Sequence, residues 1–217
     1  AVLAGALAGA LAVMAVLLSL STLLRSATML LIAGILIGYL ASSAISLLNF
    51  FATREGVHAY VIWGMGSFGG VTNDVLPLFA LLVTVLIAVA CAYVKPLNAL
   101  LLGTRYAESA GVNIKATRNG ILLLSGALTA VVTAWCGPIG FIGLVVPHIV
   151  RLTVGRDTKK AIPMCMLFGA TFMIIADILS RVFTAAEVPL SAVTGFFGTI
   201  VFIVLLFVRR DSIREND

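Results

Sequence analysis

The side chains that could do chemistry are few in this 217-residue chain, and none of them forms a catalytic pattern. Asp177 and Arg181 are spaced to form an ion pair on one face of a helix. The two histidines, His58 and His148, lie far apart, and neither belongs to an H-E-x-x-H motif. The chain also has no G-x-S-x-G and no phosphate-binding G-x-x-x-x-G-K-[ST] motif. The sequence therefore predicts no enzyme, no metal site and no cofactor.

One polar stretch, residues 101–118, interrupts the apolar runs and offers side chains for recognition. Its centre reads TRYAESAG, where Thr104 is predicted to cap a helix that stops at Gly111. Glu108 lies near the start of that helix, and Asn113 is predicted to cap the next one. The stretch predicts two short helices joined by a glycine. A solvated connector is the alternative, although a connector needs only a few residues.

The elements that hold these residues are membrane helices, because the chain is 61% hydrophobic and 11% charged against about 45–50% and about 25% in soluble domains. The sequence predicts one all-α transmembrane domain over residues 1–217, a polytopic membrane helix bundle. Seven apolar runs carry it. They fall at 1–20, 27–50, 75–94, 119–136, 138–154, 161–180 and 189–208. The fifth is short and broken by glycine and proline, so a re-entrant loop is its alternative.

The distribution of positive charge decides between these two topologies. If the fifth run crosses, only Arg54 and Arg181 lie outside, and the other twelve of the fourteen lysines and arginines face the cytoplasm. If the fifth run does not cross, six of the lysines and arginines lie on one side of the membrane and eight on the other. We therefore predict seven crossings of a plasma membrane, with the C-terminus in the cytoplasm. The charges lie in short breaks between apolar runs, which argues against nucleic-acid binding.

The segment 51–74 then lies outside and is too polar and glycine-rich to cross. It predicts a short amphipathic helix at the outer interface, with Trp63 as the anchor and His58 on the surface. In the second run Gly34, Gly38 and Ser42 recur every four residues together with Ser46. This spacing predicts close helix packing.

Several motifs together carry a family resemblance over essentially the whole chain. In chain order they read VIWGMGSFGGV, NALLLGTRYAESAGVN, GPIGFIGLVVPHIVRLTVG, ADILSR and AAEVPLSAVTGFFGTIVFIVLL. In this order they resemble the permease subunit of a bacterial ABC importer for iron–siderophore, haem or vitamin B12, the FecCD or BtuC-like family. The resemblance implies a homodimer of permeases, two cytoplasmic ATPases and an external binding protein. It favours an iron complex as the substrate.

The same resemblance implies roles for particular residues. The stretch 101–118 is similar to the coupling helices that seat in the ATPase, with the contact made by Thr104, Arg105, Tyr106, Glu108 and Gly111. The second run would line the pathway through Gly34, Gly38, Ser42 and Ser46, and Ser21 and Thr22 would narrow its inner mouth. A capped turn is the alternative for the last pair. Arg181 would dock an acidic residue of the binding protein, or serve only as the structural partner of Asp177.

Members of the family usually have ten spans, so the chain resembles one that lacks its N-terminal third. A secondary transporter is the alternative function, with Asp177 and the broken fifth run coupling an ion. An intramembrane enzyme is disfavoured, because no nucleophile and base are paired in the sequence.

Overall fold

The fold is all-α, as predicted. The computed structural model describes residues 2–23, 26–155, 157–182 and 188–214, within which no strand occurs. Ten α-helices and one 3-10 helix, Phe68–Gly70, form in these residues. The α-helices are α1 Val2–Leu23, α2 Ala27–Phe51, α3 Arg54–Gly64, α4 Leu76–Ala92, α5 Val94–Leu101, α6 Thr104–Ser109, α7 Ile114–Cys136, α8 Ile142–Val154, α9 Thr158–Val182 and α10 Leu190–Arg214.

All seven apolar runs form helices, and the chain is a polytopic membrane helix bundle. Three stretches of the described residues are long and apolar enough to cross a bilayer by themselves: Thr28–Phe51, Ile114–Cys136 and Thr158–Val182. The pair α4 and α5 passes the same test as one bent span. Helix α8 has 13 residues and is therefore about 20 Å long, less than the hydrocarbon core. Seven crossings stays a prediction.

The bend between α4 and α5 has a local cause. The two helices meet at Tyr93 with an angle of 43°. Pro96 has no N–H to donate to the carbonyl of Ala92, so a continuous helix would lose one hydrogen bond there. The Tyr93 side chain packs on Gly120 of α7, where even a methyl group would require the tyrosine to move. The chain stays helical through Pro96 because this residue lies in the first turn of α5, where a proline is tolerated.

Helix α7 is the centre of the packing, with α1 and α4 against it, while α8, α9 and α10 form a second group. Met14 of α1 is buried, and its sulfur fills the space over Gly126 of α7. Helix α2 packs mainly against α1 and leaves most of its surface exposed. Apolar surface of this extent is covered by lipid or by protein in a membrane.

At one end of the bundle three segments distant in sequence meet, residues 62–71, 136–141 and 188–191; we call this the α3 end. The N–H of Ser67 donates to the carbonyl of Cys136 at 2.9 Å, and the N–H of Leu190 donates to the carbonyl of Gly66 at 3.2 Å. Ser191 donates to the carbonyl of Met65 twice, from its N–H at 3.1 Å and from its hydroxyl at 2.7 Å. These bonds fix the segments to one another.

At the opposite end the segments 94–113 and 155–158 meet; we call this the α6 end. Asn98 of α5 bonds there with Asp157 and Thr158 at the start of α9. Helix α7 runs from the α6 end to the α3 end, and α9 runs in the same direction. The chain must return between them through α8, which supports a crossing over a re-entrant loop.

The first residues of the fifth run differ from the prediction. Residues 138–141 are not helical, and α8 begins only at Ile142. Phe141 has a φ of +68°, a conformation that is uncommon for a bulky residue. Its side chain lies against Gly195 and Gly198 of α10, so glycines on the neighbouring helix make room for this strained break.

Candidate functional site

The predicted coupling residues form one exposed surface at the α6 end. Thr104, Arg105, Tyr106 and Glu108 are all exposed on α6, whereas Ala107 between them is completely buried. The N–H of Ala107 donates to the carbonyl of Gly103 at 3.0 Å, and its carbonyl accepts from Val112 at 2.9 Å. These bonds close the local turns around α6. The complete burial of Ala107 indicates that this side of the short helix faces the rest of the chain, while its neighbours point away from it.

The prediction of two short helices is wrong in one respect. Helix α6 is short, but the second helix is the first turn of the long α7. Asn113 caps α7 as predicted, because its side-chain oxygen accepts from the N–H of Ala116 at 3.0 Å. The cap of α6 is Gly103 with a φ of +110°, not Thr104. Gly111 has a φ of +81° and turns the chain between the two helices.

Asn98 is a residue of this end that the sequence analysis missed. Its side-chain nitrogen donates to Asp157 Oδ1 at 3.2 Å, and its side-chain oxygen accepts from the N–H of Thr158 at 2.8 Å. The partners lie 59 and 60 residues away in sequence. No local pattern could have found this contact.

The ion pair between Asp177 and Arg181 forms as predicted, at the α3 end. Arg181 Nε donates to Asp177 Oδ2 at 3.0 Å, and the side chains are 48% and 27% exposed, respectively. They line a cavity of about 230 Å³ together with Met65, Ser180 and Pro189. The pair thus stands where α9 meets two other segments, and its role in docking stays a prediction.

Trp63 also belongs to the α3 end, and its role as an interface anchor stays a prediction. Its side chain is half-buried, and its Nε1 is buried with no hydrogen-bond partner among the described residues. Its carbonyl oxygen lies so close to Gly137 that a side chain there would overlap it. The indole therefore packs inward, towards α1 and α7.

The small residues of α2 are open on the side away from α1. Gly34 is half-buried and lies 4.0 Å from Leu17 of α1, measured from the position a Cβ would take, whereas Gly38, Ser42 and Ser46 are exposed. Close packing within this chain therefore explains the need for a small residue at Gly34, but not at the other three positions. Ser21 is buried in the last turn of α1. The side chain of Thr22 lies outside the described residues.

The residues behind the alternative functions have structural partners. Asp177, the intramembrane carboxylate that a secondary transporter would need, is already bonded to Arg181. His148 Nδ1 bonds with the carbonyl of Leu144 at 3.0 Å, and its ring packs edge-on against Phe202. In the described part of the chain no group of three histidine, cysteine or carboxylate side chains could hold a metal ion. Secondary transport is not favoured.

The apolar helices and two polar ends define the class first: an all-α, polytopic membrane protein. Comparison with known proteins then gives the family. The FecCD transport family model matches residues 1–208, and the chain belongs to this family.

The vitamin B12 import system permease protein BtuC of Salmonella typhi is 38% identical over 202 residues, which are 93% of this chain and 62% of that protein. The protein of the same description from Escherichia coli O9:H4 (strain HS) is 37% identical over 206 residues, 94% of this chain and 63% of that protein. This chain therefore spans about three fifths of the length of these relatives.

One solved structure resembles the fold closely. It is an inward-facing conformation of a proposed metal-chelate type ABC transporter, 32% identical, with a TM-score of 0.83. The match covers 89% of this chain and 63% of that chain. The resemblance therefore extends to the helix arrangement as well as the sequence.

Proposed function

We propose that this chain is the transmembrane permease part of an ATP-driven ABC importer of the bacterial plasma membrane. It would act as a homodimer with two cytoplasmic ATPases and an external binding protein, and ATP would be hydrolysed only on the ATPases. Membership of the FecCD transport family supports this proposal. The descriptions of the vitamin B12 permeases and of the metal-chelate transporter support it further.

The observation that carries the proposal is the exposed face of α6 beside an apolar edge. Tyr106 is 54% exposed, and Leu101 and Leu102 are 54% and 68% exposed. Arg105 and Glu108 flank the tyrosine and are also exposed. An aromatic side chain that becomes buried on binding, with charged residues around it, is typical of energetically important protein contacts. Thr104 and Gly111 complete the proposed ATPase contact by shaping the two ends of the helix.

The pathway is proposed to run along α2. Gly38, Ser42 and Ser46 are exposed on this helix, so a second permease copy could face them across a pathway. Gly34 belongs to the same row and approaches α1. Ser21 and Thr22 are proposed to narrow the inner mouth. A wall of small side chains suits a bulky cargo, because it leaves the pathway wide.

The cargo is proposed to be an intact metal chelate, and the α3 end is proposed to receive it. Arg181 would contact an acidic side chain of the binding protein with its exposed half. Cobalamin is one candidate, because the relatives in Salmonella and Escherichia are vitamin B12 permeases. An iron–siderophore complex and haem are the others. Uptake of each by the complete transporter would distinguish them.

The test is Tyr106→Ala in the complete gene product, purified together with its ATPase. We expect at least a tenfold loss of ATPase affinity, which corresponds to about 1.4 kcal/mol, and loss of ligand-stimulated ATP turnover. Membrane insertion should be normal, since Tyr106 is exposed and outside the apolar runs. The matched control is Tyr60→Ala, which truncates an exposed tyrosine at the α3 end. Normal association of the Tyr106→Ala protein would leave 101–118 as a connector and contradict the proposal.

A further inference from the structure

Helices α5 and α9 are joined by the side-chain hydrogen bonds of Asn98, which we call the tie. The tie connects the segment that carries α6 to a second long helix. Asn98 uses both atoms of its amide group, one to accept from Thr158 and one to donate to Asp157. Asp157 Oδ1 also accepts from the N–H of Lys159 at 3.0 Å. Two side chains from different parts of the chain thus cap the first turn of α9 together.

This first turn depends on the cap more than an ordinary helix start does. Pro163 lies inside α9 and has no N–H, so the carbonyl of Lys159 loses the partner that a regular helix would give it. Without that bond, the first turn is joined to the rest of the helix less firmly than in a regular helix. The bonds of Asp157 and Asn98 therefore contribute directly to the orientation of that turn.

Packing between α5 and α9 does not replace the tie. A cavity of about 600 Å³ lies between α5, α8 and α9, and its walls include Leu97, Leu101 and Ile162. Thr158 lines the same cavity. Because close packing is interrupted at this place, the hydrogen bonds of Asn98 form a discrete contact between the helices. Movement of α5 reaches the start of α9 through them.

Helices α5 and α6 are joined tightly enough to move together. The N–H of Leu102 donates to the carbonyl of Ala99 at 3.2 Å, and that of Gly103 donates to the carbonyl of Leu100 at 3.1 Å. Gly103 in turn accepts from Ala107, the buried residue of α6. A force on the exposed face of α6 therefore acts on Asn98 only a few residues away.

We propose that Asn98 is a positioning residue that passes movement of α6 to α9, an inference that rests on the proposed function. The ATPase moves α6, α5 follows, and Asn98 pulls the first turn of α9. Helix α9 carries Asp177 and Arg181 at its other end. The tie therefore gives the α6 end a second connection to the α3 end, beside the direct one through α7.

The experiment uses the complete permease with its ATPase and binding protein in proteoliposomes. Asn98→Asp keeps the shape of the side chain but places a second carboxylate beside Asp157. We expect normal ATPase association and basal turnover, and a roughly fivefold fall in the ratio of ligand-stimulated to basal turnover, within the range found for residues on coupling routes. The pair Asn98→Asp with Asp157→Asn restores a donor and an acceptor, and should recover at least half of that ratio.

Two further variants test whether the hydrogen bonds of Asn98 are the cause of the expected fall in the ratio. Thr158→Pro removes the N–H that donates to Asn98, together with the threonine hydroxyl, at a first helical position where proline is well tolerated. It should therefore lower the ratio without loss of folding. Asn73→Asp makes the same isosteric change in an exposed turn at the other end, where the described residues show no hydrogen bond from its side chain. It should leave the ratio unchanged.

The outcomes distinguish failure of the proposed function from failure of the role proposed for Asn98. A wild-type permease that neither binds its ATPase nor stimulates it overturns the proposed function, and this inference with it. A coupled wild type whose Asn98→Asp and Thr158→Pro variants keep the full ratio overturns the inference alone. Loss that the double exchange does not recover also overturns it, because Asn98 would then act by local shape rather than through Asp157.

Discussion

The α3 end and the α6 end are each held together by a different kind of contact. At the α3 end the backbone of Ser67, Leu190 and Ser191 bonds with backbone carbonyls from distant segments. At the α6 end the distant contact depends on the side chain of Asn98, which bonds with the side chain of Asp157 and with the N–H of Thr158. Backbone bonds persist when side chains change and require close approach, whereas a side-chain tie can rotate or be exchanged.

This difference fits two mechanical roles. The α3 end behaves as a fixed frame in which three loops hold one another, so a binding partner would meet a preformed surface. The α6 end exposes most of α6 and keeps only Ala107 buried, so a partner would complete it. We therefore expect changes at the α3 end to act on folding, and changes at the α6 end to act on association and coupling.

The largest effect should come from the sidedness of the two ends. With Cys91, Cys136 and Cys165 replaced by alanine, a cysteine at Thr53 should react with an impermeant thiol reagent in intact cells. A cysteine at Ser109 should react only after the membrane is opened. Labelling of both positions from outside would place the two ends on one side and remove the basis of the comparison.

The next largest effect should come from Gly137→Ala at the α3 end. Gly137 has a φ of +74° and a ψ of 177°, a region that is essentially restricted to glycine. A methyl group there would also overlap the carbonyl oxygen of Trp63. We expect about 3 kcal/mol of destabilisation, measured as a lower melting temperature in detergent. Gly140→Ala is the control, since its surroundings are open; equal melting of the two variants would contradict the fixed frame.

Gly111→Ala sharpens the comparison at the α6 end. Gly111 also has a positive φ, +81°, but no atom lies within 4 Å of the position a Cβ would take. The cost is then only conformational, about 1 kcal/mol, and the melting temperature should fall clearly less than for Gly137→Ala. A fall as large as that of Gly137→Ala would show that the α6 end is as tightly enclosed as the α3 end.

The smallest effect on stability should come from the ion pair. Because Arg181 is 48% exposed, Arg181→Glu and Asp177→Asn should each change the free energy of unfolding by less than about 1 kcal/mol. Docking of the binding protein should separate them. Only Arg181→Glu should weaken it, and most strongly at low salt. Equal docking by both variants would leave Arg181 as the structural partner of Asp177.

The sequence predicted what depends on neighbours along the chain. The seven apolar runs became helices, Asn113 caps α7 with a donor three residues away, and Asp177 meets Arg181 four residues away. The cap of α6 was misplaced by one residue, because Gly103 takes a φ of +110° that suits glycine and not threonine. Each of these predictions depends on residues that are neighbours in sequence, and the misplaced cap is an error of one position along the chain.

What the sequence could not predict depends on contacts across the fold. Asn98 has no local feature that marks it, since its partners are in another helix. The half-buried setting of Trp63 beside Gly137 likewise has no signal in the local sequence. The φ of Phe141 is set by room beside Gly195 and Gly198 on α10. These residues acquire their conformations only when the helices meet.

The position of Trp63 has a further consequence for spectroscopy. The chain has two tryptophans, and the other, Trp135, packs edge-on against Phe79 near the end of α7. Both indoles stand at the α3 end, so the tryptophan emission of this chain originates there, while the α6 end carries no tryptophan. Tryptophan emission from the native chain thus reports on the α3 end, and a Tyr106→Trp variant would add a signal from the α6 end.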